Sequence, residues 1–173
     1  MIETPDYINM LNERSRKSVK APLLSWDIYM SGHHDKLQQL DDIQRLHQFV
    51  ANAGWKHTFD FEERLIRQQQ VVIITDLSFR IVFTSYNICD MKGYQPAEIL
   101  GKHPNMFHGP GTCPDKKSTI RNAVAQQQPF DIVLVNYKKD GTRYRCRINA
   151  FPVFNRSNEL VNFIAFEHAL ELI

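Results

Sequence analysis

Twelve residues from Gly101 to Thr112, Gly-Lys-His-Pro-Asn-Met-Phe-His-Gly-Pro-Gly-Thr, constrain this chain more than any other stretch. Three glycines and two prolines within them rule out a regular helix and a central strand. The spacing predicts a shaped loop with one tight helical turn from Pro104 to Phe107. A loop of this kind borders solvent or a cavity. Met106 and Phe107 offer it an apolar wall, and His103, Asn105 and His108 offer polar atoms. Two readings fit that mixture: the edge of a ligand pocket, or a structural loop tucked over a small core.

The pattern upstream of the loop is helical. Thr4-Pro5 supplies a capping hydroxyl followed by a first-turn proline. The basic run Arg14 to Lys20 reads as a solvated face rather than a nucleic-acid contact. Pro22 breaks the chain before the apolar patch Leu23, Leu24, Trp26, Ile28, Tyr29 and Met30. Apolar residues then recur every three to four positions from about Asp35 to Ala53, with Gly54 where a C-cap glycine belongs. His33 and His34 are adjacent and do not share a helix face, so no metal site is expected there. A further helix opens at Asp60, with Glu63 as capping-box partner, and runs through Gln70 into Val71 with no linker residue. Helix and strand are therefore expected to move as one piece.

Beyond Val71 the period changes from helical to strand-like. The pattern predicts strands over Val71–Thr75 and Arg80–Thr84 joined by the turn Asp76-Leu77-Ser78. Short helical turns follow over Ser85–Met91 and Pro96–Leu100, and a longer helix begins at Pro114. Three long strands close the chain: Phe130–Lys138, Arg143–Phe154 and Glu159 to about Leu170, with Asp140-Gly141 as a strong hairpin signal. Helices cluster between the strands, so the expected class is α+β, a five-stranded antiparallel sheet covered on one face by short helices. The helical residues 1–70 form an extension, for packing on the other face, and 71–173 form the sheet domain.

Composition excludes several function classes. At 173 residues with a net charge of +2, the chain carries too little positive charge to imply nucleic acid or an anionic membrane. No apolar run is long enough to span a bilayer and no signal peptide is visible. Cys89, Cys113 and Cys146 lack paired spacing and read as free thiols in a reducing cytoplasm.

Several motifs resemble one family. Val72-Ile73-Ile74-Thr75-Asp76, Gly93-Tyr94 with Pro96-Ala97-Glu98-Ile99-Leu100-Gly101, and Asn136-Tyr137-Lys138-Lys139-Asp140-Gly141-Thr142 are similar to a PAS domain over about residues 70 to 170. The Gly109-Pro110 and Thr112 positions resemble the LOV branch, flavin-binding blue-light sensors. Carried over residue by residue, the resemblance puts the LOV photoactive cysteine at Pro104, which has no thiol. His103, Asn105 and His108 replace its asparagine, arginine and glutamine. Asn136 is retained, but Cys146 and Glu167 replace the second asparagine and the strand-end glutamine. A site built on particular hydrogen bonds rejects a ligand whose partners are missing, so adduct photochemistry is not expected.

The same resemblance sets strand parity. The expected ligand pocket comprises His103, Asn105, Met106, Phe107, His108, Leu134, Asn136, Tyr144, Cys146, Ile148, Phe163, Ala165 and Glu167. Val133, Val135, Tyr137, Ile164 and Phe166 then form an apolar outer face that needs cover, from the N-terminal helices of the same chain or of a partner. Outward Arg143, Arg145 and Arg147 either pair with Glu62 or Glu63 or form a partner-binding strip. Inside, Glu167 and Cys146 are expected near His103 and His108, as a functional acid–histidine pair or as a satisfied polar cluster. No catalytic constellation and no metal site is evident. The leading expectation is a non-enzymatic sensory or regulatory module, cytoplasmic and homodimeric, that senses a small molecule or mediates protein association. Its output would be association, since the sequence ends at Ile173, just after the last strand. Two alternatives stay open: a flavin- or haem-binding sensor, with His103 or His108 as axial ligand, and a ligand-free interaction scaffold.

Overall fold

A computed structural model describes residues 23–172. The Thr4-Pro5 helix start and the basic run 14–20 lie outside the described residues, as do the side chains of the Leu23 to Met30 patch. A division falls between Leu37 and Gln38, and everything after it forms one compact unit.

Helix α1 spans Leu23–Asn52, so it begins well before the expected Asp35. Gly32 costs a helix about 1 kcal/mol relative to alanine, and the thirty-residue segment absorbs that cost. Gly54 takes a left-handed φ of +63° just past its end, and the Trp55 N–H donates to the Val50 carbonyl. The helix expected over Asp60–Gln70 is instead a single π-helical turn, Glu63–Arg67. Gln69 at φ +50° then reverses the chain before the first strand, so helix and strand are not continuous. A glutamine in that conformation gives no sequence signal, because glycine and asparagine are the usual occupants.

The strands are β1 (Val71–Thr75), β2 (Ile81–Thr84), β3 (Phe130–Tyr137), β4 (Arg143–Phe154) and β5 (Leu160–Leu172). They form one antiparallel sheet in the order β2-β1-β5-β4-β3. Between β2 and β5 sits β1, and all five of its residues are buried, as a centrally placed β-branched run demands. In β4, exposed Arg143, Arg145 and Arg147 alternate with buried Tyr144, Cys146 and Ile148. Helices α2 (Ile88–Lys92), α3 (Pro96–Ile99) and α4 (Pro114–Ala125) and a 3₁₀ turn (Pro104–Phe107) lie between β2 and β3 in the chain. They supply the inner-face core, in which Ile88, Ile99 and Phe107 meet Val71, Ile73 and Ile81.

The outer face is covered by the same chain. Ile43, Leu46, Trp55, Phe61 and Leu65 pack on Val72, Ile74, Phe83, Ile164 and Phe166. Each such fully buried side chain contributes roughly 1.5–3 kcal/mol. Trp55 fixes the cover: its indole N–H donates to Asn162 Oδ1 at 3.0 Å, and Asn162 Nδ2 donates to the Thr75 carbonyl at 3.1 Å. Asp42, also buried, accepts the Tyr86 N–H at 2.7 Å and pairs with Arg45 at 2.9 Å. Ile164 and Phe166 are thus enclosed in cis. Arg147 of the stripe makes a bidentate pair with Asp131 on β3, at 2.6 and 2.9 Å, rather than with Glu62 or Glu63, and Glu63 pairs with Arg67. Among the described residues, no helix is long and apolar enough to cross a membrane.

Candidate functional site

The Gly101 to Thr112 loop crosses the inner face from one edge of the sheet to the other. At its start, Gly101 N–H donates to the Ile81 carbonyl and Ile81 N–H to the Lys102 carbonyl, which fastens the loop to edge strand β2. At its end, Thr112 Oγ1 accepts the Gly109 N–H at 3.0 Å and donates to the Val135 carbonyl at 2.6 Å on edge strand β3. The Gly111 N–H donates to the Tyr137 hydroxyl at 2.7 Å. A Cβ on Gly109 would lie 2.5 Å from the Tyr137 ring, so the loop can approach this strand only without a side chain there. Within it, His103 caps the 3₁₀ turn, its Nδ1 accepting the Asn105 N–H at 3.1 Å.

Beneath the loop lies a cavity of about 630 Å³. Its floor is the inner face of the sheet: Ile73, Thr75, Ile148, Ala150, Phe163, Ala165 and Glu167. Its walls are Phe79, His103, Pro104, Asn105 and His108 on one side and Lys117, Ile120, Arg121 and Val124 of α4, with Phe130, on the other. Phe79 is held at φ +58° and stacks on Phe163 with centroids 5.6 Å apart. Burial, reinforced by Lys117 and Lys92, pushes His108 below the usual histidine range.

Seven of the thirteen expected pocket residues line this cavity: His103, Asn105, His108, Ile148, Phe163, Ala165 and Glu167. Phe107 and Met106 do not; they pack into the inner core, where Phe107 meets Tyr94 edge-on at 5.8 Å. Leu134, Asn136, Tyr144 and Cys146 are buried on the inner face beside the cavity rather than along it. Buried near Tyr144 and Cys146 is a residue with no sequence signal, Lys92. Its side chain is completely buried, and its Nζ lies 2.5 Å from Glu167 Oε2. It also sits 3.9 Å from the centre of the Phe107 ring, a cation–π contact. Burial alone would lower its pKa, but Glu167, Tyr144 and Cys146 outweigh that and hold it above the ordinary lysine value. The Cys146 thiol donates to the same Glu167 oxygen at 3.4 Å, and burial followed by that carboxylate pushes the thiol up. Glu167 therefore pairs directly with a lysine, and its charge also acts on His108 in the same cavity. Asn136 Oδ1 and Tyr144 OH, opposite one another on β3 and β4, have no hydrogen-bond partner among the described residues. No group of three or more His, Cys, Asp or Glu among the described residues is placed to hold a metal ion.

This is an α+β domain: an antiparallel sheet whose inner face holds a cavity under a loop and a helix, and whose outer face is covered over β1, β2 and β5 by the preceding residues of the same chain. The chain belongs to the PAS domain family, whose profile matches residues 69–168. It is 33% identical over 85 residues to a blue-light-activated histidine kinase of Brucella ovis, and equally to that of Brucella abortus. That match covers 49% of this chain and 17% of each kinase, so the chain spans about a sixth of the length of these curated relatives. Among solved structures it is similar to the dark structure of the blue-light photoreceptor Aureochrome1 LOV, with TM-score 0.60 and 26% identity over 67% of this chain and 86% of that one. The LOV domain of the Erythrobacter litoralis EL346 blue-light-activated histidine kinase shares the fold, with TM-score 0.56 and 16% identity over 58% of this chain and 95% of that one. The chain is accordingly a sensory module of the PAS type, with a LOV-like fold.

The LOV likeness implies a flavin, and the residues present do not fit one held in the LOV manner. Pro104 lines the cavity where the reacting thiol would stand, and none of Cys89, Cys113 or Cys146 is among the lining residues. The Glu167 carboxylate is occupied by Lys92, and Asn136 is buried but is not one of the residues lining the cavity.

Proposed function

We propose that this PAS module is non-enzymatic and senses a small molecule held in the cavity beneath the Gly101 to Thr112 loop, without flavin adduct photochemistry. The observation that carries the proposal is the cavity itself: about 630 Å³ of mostly apolar wall, within the range of about 300–1,000 Å³ that small-molecule sites occupy. Ligand contact with β5 would reach the outer cover through a single strand, because Glu167 and Ala165 line the cavity while Ile164 and Phe166 belong to the outer core with Phe61 and Leu65. Association as a homodimer would use Val133 and Val135, the outer-face residues of β3 that remain partly exposed. Native mass spectrometry of the full chain tests both parts, with Ala165→Trp as the cavity-filling control. A bound small molecule and a dimer mass are expected, with the small molecule lost in the variant. A visible flavin or haem chromophore would contradict the ligand assignment, and a monomer at working concentration would contradict the association.

A further inference from the structure

The cavity has two chemically different ends. Near Glu167 its one carboxylate is already neutralised by buried Lys92, so that end offers a ligand neither a net charge nor a free acid. Between there and the mouth the walls are aliphatic and aromatic: Ile73, Ile148, Phe163, Ala165 and Ile120. At the α4 side two cations border the space, Lys117 and, one helical turn on, Arg121. Neither makes an ion pair or a side-chain hydrogen bond among the described residues. Lys117 and His108 border the same space, and the Lys117 charge adds to burial in holding His108 below the usual histidine range. Two uncompensated cations at one side of an apolar chamber favour a ligand with a negative head and a hydrocarbon body.

From this we infer that the cavity takes an anionic amphiphile, a carboxylate carried on an aliphatic chain, with its head on Lys117 and Arg121 and its chain laid over Ile148 and Ala165. The inference rests on the reading of the cavity as a ligand site. A flat heterocycle that needs a free carboxylate at the β5 end does not find one there, because Glu167 is committed to Lys92.

The test is calorimetric titration of the full chain with laurate, dodecanol, dodecylammonium and flavin mononucleotide, each below its micellar concentration. It is repeated on the Lys117→Gln, Arg121→Gln double variant, whose substitutions lie outside the core. Laurate is expected to bind at least tenfold more tightly than the alcohol or the ammonium, and the variant to lose that margin while still binding dodecanol. Dodecanol or dodecylammonium binding as tightly as laurate, a margin kept in the variant, or flavin mononucleotide outcompeting laurate would overturn the anionic-amphiphile assignment alone. Absence of binding by all four compounds would overturn the reading of the cavity as a ligand site.

Discussion

Lys92 is charged, wholly enclosed and paired to one carboxylate, so its energetic role is set by what would be left behind if it were removed. Truncating one partner of a buried pair strands the other charge and costs about 3–5 kcal/mol, whereas replacing both by neutral groups of like shape costs little. Lys92→Ala is therefore expected to lower unfolding free energy in urea by about that amount, with Lys92→Met, Glu167→Gln recovering most of it. A double variant no more stable than the single would show that Lys92 acts through something other than Glu167. Asp42 makes a second residue-scale prediction. Burial raises its pKa to about 6, against the lowering by the Tyr86 N–H and Arg45. Between about pH 4, near the pKa of an unfolded aspartate, and about pH 6, the native chain then holds the extra proton, so stability falls as pH rises through that window. Melting curves of wild type and Asp42→Asn should converge as pH drops toward about 4, diverge as it rises through about 4 to 6 with the variant gaining relative to wild type, and keep that gap above about 6. A constant difference across the window would contradict the assignment. Neither residue was legible in the sequence. Each is a charged side chain in a short polar context, which ordinarily marks solvent, and only the three-dimensional partner (Glu167 for one, the Tyr86 amide for the other) explains its burial.

At the scale of elements, the strands were readable because alternation and β-branching are local properties. Arg143–Phe154 falls where the pattern put it, and so do the 3₁₀ turn Pro104–Phe107 and the helix start at Pro114. The junction before β1 was not readable. Its reversal sits on Gln69, and Leu65, in the preceding turn, is buried against the sheet. A proline at Leu65 would consequently break the outer core. The loop was recognisable as a loop from its glycines, but their purpose depends on Tyr137, twenty-six residues beyond Gly111. Gly109→Ala should force its new methyl into the Tyr137 ring and cost about 1–3 kcal/mol, as overpacking does. Trimming the ring in Gly109→Ala, Tyr137→Ala should restore part of the loss in a denaturation cycle. Strictly additive losses would mean that the close approach is not what the glycine permits.

Across the whole molecule, one sheet separates a cavity from a sealed core, and each strand shows alternate residues to the two. Strand β5 carries this most plainly, with Phe163, Ala165 and Glu167 on the cavity side and Ile164 and Phe166 on the other. Half-buried periodicity foretold both faces, but not that residues 43–66 of the same chain would close the outer one, since either a neighbouring chain or this one could have met that need. The central claim, that occupancy of the cavity is felt on the opposite face, is tested most directly by hydrogen exchange on the full chain. Laurate and dodecanol serve as probes, so the outcome does not depend on the charge of the head group. The account predicts slowed exchange at residues 103–108 and 163–167, together with a change at 61–67 behind the sheet. Protection absent from all three segments with both probes, or confined to the loop while 61–67 stays unaltered, would contradict it.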